Sequence, residues 1–331
     1  MSVLASAKLV PNLFEKNIPR AATRDGFGRG LVEAGRANEA VVALCADLTE
    51  STRVLDFKHA FPDRFIQMGV AEQSLAAIAS GMALAGKIPF IASYAAFSPG
   101  RNWEQIRTTG CLQNVNLKIV GNHAGVSVGP DGATHQMTED IALMRVLPNM
   151  TVLSPCDAIE AEKATIAAAN IEGPVYIRLS RESSPTFTTK KTPFEVGKAQ
   201  ILTKGDDVAI IVTGPLVYEA LKAARDLEKM KIRARVINCA TIKPLDSETI
   251  VKAAKECGAI VTVEEAQIAG GLGGAICELL ASEFPVPVIR LGLHDEFGQS
   301  GTAAELLEHY QLTAPWIVKA VKEVIKKSLK R

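Results

Sequence analysis

Two histidines, one aspartate and four glycines fall within residues 121–136 (GNHAGVSVGPDGATHQ), directly after the apolar run 117–121. Gly-Pro-Asp-Gly forces tight turns, and glycine lets a backbone approach a ligand closely. A loop leaving the carboxyl end of a buried parallel strand is where open α/β sheets place ligands. His123, Asp131 and His135 can therefore converge on one small polar molecule. A metal ion is the rival occupant, but the other histidines (His59, His294, His309) lie in unrelated segments and the loop offers no second carboxylate, so no metal site is expected. The remaining alternative is a turn whose histidines are simply solvated.

A second candidate is Glu72, in VAEQSLAAIASGMALAG at 70–86. The residues after it are almost wholly apolar and rich in Ala and Gly, which predicts a helix buried deeply or used at a subunit contact. A carboxyl at its mouth would be desolvated and hold its proton more tightly. The plainer alternative is an acidic first-turn residue stabilised by the helix dipole. Arg24, just before a predicted helix, and Arg181, after the strand-end sequence IRLS, could each fork onto a phosphate or could be surface arginines. AGGLGG at 269–274 does not make a dinucleotide fingerprint, because Ile276 stands where the third glycine belongs; close strand–helix packing accounts for it. There is no Walker sequence and no Gly-x-Ser-x-Gly elbow.

The elements that must position these residues are β-branched runs at 40–46, 88–92, 117–121, 151–153, 175–179, 208–213, 232–238, 259–263 and 286–291, with helical stretches between them. Near-continuous apolar strands separated by helices predict an α/β chain of two doubly wound domains with largely parallel sheets. The polar stretch 181–196 is the seam, giving an N-terminal segment 1–20, a first domain 21–185, a linker 186–195 and a second domain 196–331. From about Trp316 a last helix carries Ile317, Val321, Val324, Ile325 and Leu329 on one stripe, with a basic end that complements the helix dipole. At 331 residues and a formal charge of +1, with 47% hydrophobic and 22% charged residues, the chain can build two cores and has no bulk charge that calls for nucleic acid or a membrane surface. The six cysteines are scattered without a Cys-x-x-Cys, which predicts buried thiols. The first twenty residues lack a signal-peptide pattern and no apolar run has a membrane span's length, so a cytoplasmic protein is expected.

Taken in order, ATR at 22–24, ADLTES at 46–51, GVAEQ at 69–73, SYAAF at 93–97, the loop from Gly121 into MTED at 137–140, and LSRES at 179–183 resemble the transketolase family over about residues 20 to 328. The resemblance implies a thiamine pyrimidine-binding domain followed by the transketolase carboxy-terminal domain. It makes Glu72 the carboxyl that hydrogen-bonds the pyrimidine N1′ of thiamine diphosphate, Tyr94 and Phe97 the aromatic lining of that pocket, and Asp47 an aspartate near the cofactor. Gly100 stands where a further aromatic is usual. On the substrate side it assigns Arg24, Ser51, His123 and Arg181 to a sugar phosphate, Asp131 to a sugar hydroxyl and His135 to the reacting oxygen.

Family members that are complete begin with a domain whose Gly-Asp-Gly motif binds Mg²⁺ and the diphosphate, and no Gly-Asp-Gly occurs here. The resemblance thus implies a split transketolase subunit, active with a transketolase N-terminal subunit that holds most of the Mg²⁺ site. Pairing of pyrimidine domains implies a homodimer and an α2β2 heterotetramer. The alternatives are the carboxy-terminal part of a deoxyxylulose phosphate synthase, the β subunit of a 2-oxo-acid dehydrogenase, and a non-catalytic regulatory homologue.

Overall fold

The computed structural model describes residues 2–329; Met1, Lys330 and Arg331 lie outside it. Each of the nine apolar runs forms a strand. Most ends agree within two residues, and the exception, expected at 259–263, continues to Gln267.

Strands β1 (Val41–Cys45), β2 (Phe65–Gln67), β3 (Ile88–Tyr94), β4 (Lys118–Asn122), β5 (Thr151–Leu153) and β6 (Val175–Arg178) make the first sheet, in the spatial order β5-β6-β4-β3-β1-β2 and all parallel. Every residue of β1, β4 and β6 is buried, because both faces are covered, and this is why their sequences show no in–out alternation. Helices α1 (Thr23–Ala37) and α3 (Ala158–Ala169) cover one face, packing Phe27, Leu31, Ala161 and Ala164 against Val41, Phe90 and Ile177. Helix α2 (Glu72–Leu84) covers the other with Leu75, Ala76 and Ala79. Only one side of α2 is buried: Ile78 is 46% exposed and Leu84 65%. Of the two settings expected for this helix, deep burial is thereby excluded for the single chain.

The second sheet holds β7 (Gln200–Ile201), β8 (Val208–Val212), β9 (Ala234–Asn238), β11 (Ile260–Gln267) and β12 (Val288–Leu293), ordered β12-β11-β8-β9-β7 and parallel except for β7. The intervening strand β10 (Thr241–Lys243) leaves this unit and pairs antiparallel with β5, completing a seven-stranded first sheet. Ile119 and Val152 of the first unit share one core with Ile211, Ile237 and Ile276 of the second. The two units are therefore joined by a hydrogen-bonded edge and by common apolar burial.

The connecting segments are packed. Ser184–Pro185 pairs antiparallel with Arg20–Ala21, Phe187 is wholly buried, and the Phe187 and Thr188 amides donate to Asp157 Oδ2 at 2.9 and 2.7 Å. Residues before α1 run along the second unit: Leu4 N donates to the Leu202 carbonyl at 2.9 Å, and Ala7, Leu13 and Ile18 sit in its outer core. The last helix, Ala314–Ser328, buries Ile317, Val321 and Val324. Leu329 was expected on that stripe but is 82% exposed, because the helix ends one residue before it. In the glycine-rich stretch, Glu264 of β11 accepts from the first free amides of helix Leu272–Glu283, Leu272 N at 2.6 Å and Gly273 N at 2.8 Å. Those donors are thus occupied within the fold, in accord with packing in place of dinucleotide binding. Five cysteines are buried and Cys277 is partly exposed; all six are free.

Candidate active site

The site forms where β1, β3, β4 and β6 end. These are neighbours in the sheet and all run the same way, so the loops that follow them emerge side by side. Helix α1 is pinned above them at its first turn: Ser180 N donates to Thr23 Oγ1 at 2.7 Å, and the Thr23 and Ser180 hydroxyls lie 3.0 Å apart. Arg24 at the start of α1 is thereby brought to the end of β6, beside Arg181.

Tyr94 at the end of β3 stacks on His123 with ring centroids 3.8 Å apart. Phe97 lies 6.0 Å from Tyr94 at an interplanar angle of 23°. His135 closes the group edge-on, 5.4 Å from Phe97 and 6.2 Å from Tyr94. The two histidines of the glycine-rich loop thus meet the two aromatic residues of the β3 loop, although 26 or more positions separate them in sequence.

Arg24 Nη1 donates to the Ser51 carbonyl at 2.9 Å and lies 3.4 Å from His123 Nε2. Ser51 meets Arg24 through its backbone and not its hydroxyl. An arginine can only donate, so Nε2 is the accepting nitrogen and the ring proton sits on Nδ1. That Nδ1 is buried and has no partner among the described residues. His123 is 2% exposed. Burial first, then the charges of Arg24 and Arg181, bring its pKa down to about 3. Arg181 Nη1 donates to the Val128 carbonyl at 2.8 Å and approaches Asp131 Oδ2 at 3.4 Å. Burial, together with Arg53 and Arg181, lowers the Arg24 pKa. Two guanidiniums beside a neutral imidazole make a strongly positive corner, the electrostatic complement of a phosphate dianion.

The depressed histidine has a consequence for stability. The unfolded chain binds a proton at His123 below about pH 6.5 and the native chain does not until about pH 3. Its contribution is complete above the unfolded value and is lost as pH falls through that window. His123→Asn removes the titration, and the difference amounts to about 2 kcal/mol at pH 5. Melting curves of the isolated chain between pH 7 and pH 5 should fall less steeply for the variant; parallel curves would contradict this account of His123.

Glu72 sits at the mouth of α2, 2% exposed. Its carboxylate receives Arg101 Nη1 at 3.1 Å, and Asn102 Nδ2 donates to its carbonyl at 3.0 Å. Arg101 also lies 4.9 Å from the Phe97 ring centroid, so one cation links the buried carboxylate to the aromatic group. Sequence reading passed over Arg101; its signal was its place directly after Gly100, where the expected aromatic is missing. Asp47 follows β1 in a left-handed conformation with φ of 60°. Its amide donates to Gln67 Oε1 at 2.9 Å, and among the described residues no side-chain bond joins it to the other candidates. Nor do any three His, Cys, Asp or Glu side chains among the described residues gather as a metal site requires.

The family profile described as "Transketolase, pyrimidine binding domain" matches residues 20–186, and "Transketolase, C-terminal domain" matches residues 197–317. A putative transketolase C-terminal section from Methanocaldococcus jannaschii is 44% identical, with 92% of this chain and 96% of that protein aligned. The chain belongs to the transketolase family.

It is a transketolase-type carboxy-terminal subunit. An apulose-4-phosphate transketolase subunit from Phocaeicola vulgatus is 38% identical over 92% of this chain and 98% of that one. A solved structure described as "Split gene transketolase, inactive beta4 tetramer" superposes with a TM-score of 0.87 at 46% identity, covering 94% of this chain and 99% of its own. Against single-chain transketolase-like proteins the chain spans about half the length, 49% of transketolase-like protein 2 from Mus musculus at 38% identity. Members of this family use thiamine diphosphate.

Proposed function

We propose that this subunit, paired with a transketolase N-terminal subunit, transfers a two-carbon ketol unit between sugar phosphates. The observation that carries the reading is the adjacency of two chemically different halves of one site. On one side a buried carboxylate, Glu72, is joined through Arg101 to the Phe97 ring, which faces Tyr94; on the other, Arg24, Arg181 and His123 form the positive corner.

The first half suits an aminopyrimidine, which offers a ring nitrogen to a carboxyl and a flat face to aromatic side chains. Thiamine diphosphate, when bound, supplies the electron sink that makes ketol cleavage possible. Glu72 would hold the proton shared with the pyrimidine N1′, Phe97 and Tyr94 would border the ring, and Asp47 would lie near it. Arg24, Ser51, His123 and Arg181 would fix the sugar phosphate, Asp131 would read a hydroxyl, and His135 would contact the reacting oxygen. Orientation by two charge-assisted forks is where such a site gains rate. The diphosphate and Mg²⁺ would belong mainly to the partner, because the Gly-Asp-Gly motif that binds them in complete family members does not occur in this sequence. The open face of α2, where Ile78 and Leu84 are exposed, suits a homodimer contact through the pyrimidine domain, and hence an α2β2 assembly.

Arg24→Ala and Arg181→Ala should raise the KM for phosphorylated sugars far more than for unphosphorylated analogues. Loss of one charge-assisted contact lowers kcat/KM by about ten- to a hundredfold. Equal losses on both substrate types would exclude a phosphate role. A second reading retains support: the 1-deoxy-D-xylulose-5-phosphate synthase of Thermomicrobium roseum is 40% identical over 86% of this chain. A coupled assay of the assembled pair, offering either a ketose donor or pyruvate, separates the two reactions.

A further inference from the structure

Residues of the second domain contact the glycine-rich loop at several points. Gln136 follows His135 directly and is 4% exposed. Its Nε2 lies 3.2 Å from the Val126 carbonyl, 3.0 Å from that of Gly129 and 2.9 Å from that of Gln299. The first two acceptors belong to the loop and the third to the segment after β12. One amide thereby ties both limbs of the loop to the other domain.

A second tie is Glu265 of β11, also 4% exposed, whose Oε1 accepts from Ser127 N at 2.5 Å. It fills the space beside Gly125, where any Cβ would collide with its carboxyl group. At the loop's exit Gln267 N donates to the Thr138 carbonyl at 2.8 Å, and Arg178 bridges the Glu265 carbonyl and Asp140 Oδ2 at 2.7 and 2.8 Å. Glu265 and Gln267 of β11 and the segment at 298–301 therefore hold the loop at several points.

We infer that the second domain shapes the sugar-binding loop, with Gln136 as the positioning residue through which it sets His123, Asp131 and His135. This rests on the function proposed above. Gln136 need not touch substrate. It holds the loop in one form before a sugar arrives, so ordering entropy is not charged against binding.

Gly298 provides the lever. It has no left-handed backbone requirement, but a methyl there would overlap Gln136 Oε1. Gly298→Ala should therefore push the Gln136 amide off its acceptors while standing in the second domain. Three variants are compared, Gly298→Ala, Gln136→Ala and the double substitution.

In the isolated chain, Gly298→Ala and Gln136→Ala should both speed amide exchange across 125–136, with β4 and β8 as protected as in wild type. In the assembled enzyme each should raise the KM for a sugar phosphate by about tenfold, with cofactor affinity changed by less than about twofold. The double variant should be no worse than Gln136→Ala, because the overlapped atom is already gone. The inference is overturned if Gly298→Ala leaves loop exchange at the wild-type rate, or if the double loss equals the product of the singles. It is overturned equally if cofactor and sugar affinity fall together, as general destabilisation would cause. An assembled wild type without ketol transfer, showing the same exchange pattern, would sink the proposed reaction and support the loop's dependence on the second domain.

Discussion

Glu72→Gln should cut the turnover of the assembled enzyme by about a hundred- to ten-thousandfold, the range spanned by a lost proton-transfer group. The substitution keeps the side chain's volume at a position only 2% exposed, so packing at the mouth of α2 is undisturbed. What changes is the chemistry, since an amide cannot share a proton with a ring nitrogen as a carboxyl can. The lost ion pair costs little stability, because its other member, Arg101, is 52% exposed and screened by solvent. Near-normal melting with very low kcat is the expected combination. A variant within a few-fold of wild-type activity would remove Glu72 from the mechanism.

The same side chain shows how far sequence reaches. Its place at the start of a small-residue helix was legible because period and composition are local properties. The strands at 41–45, 118–122 and 175–178 were legible for a related reason, being buried on both faces and so apolar throughout. Contacts that span the fold left weaker marks. Thr241–Lys243 is three residues long and belongs to a sheet most of whose strands lie before residue 180; nothing local says that it crosses over. Phe187 sits among polar residues in the stretch that joins the domains, and only its burial shows it to be core. Arg101 offered a single clue, its neighbour Gly100, and its two contacts were decided by tertiary placement.

Site residues divide along the same line. His123, Asp131 and His135 share one loop, and their grouping could be read from spacing. That Tyr94 would lie 3.8 Å from His123 follows from adjacent parallel strands pairing Tyr94 with Asn122, a register no single segment encodes. Gln136 carries no signal of its own within the loop, because its partner Gln299 comes from the other domain.

Partner dependence has the largest expected effect, a difference between measurable and absent activity. Alone, the chain presents the Tyr94–Phe97 aromatic pair and the Arg24–Arg181 positive corner, and on the function proposed above the diphosphate site belongs to the N-terminal subunit. A ligand stabilises a fold only when its concentration exceeds its dissociation constant for that fold. Thiamine diphosphate with Mg²⁺ should therefore leave the melting temperature of the isolated chain unchanged. Titration calorimetry is the most direct test: thiamine diphosphate and Mg²⁺ are added first to this chain, then to its mixture with the N-terminal subunit. The account predicts no measurable heat of binding from the chain alone, and saturable binding with ketol transfer from the mixture. Micromolar binding by the chain alone would contradict it, showing a diphosphate site within this subunit.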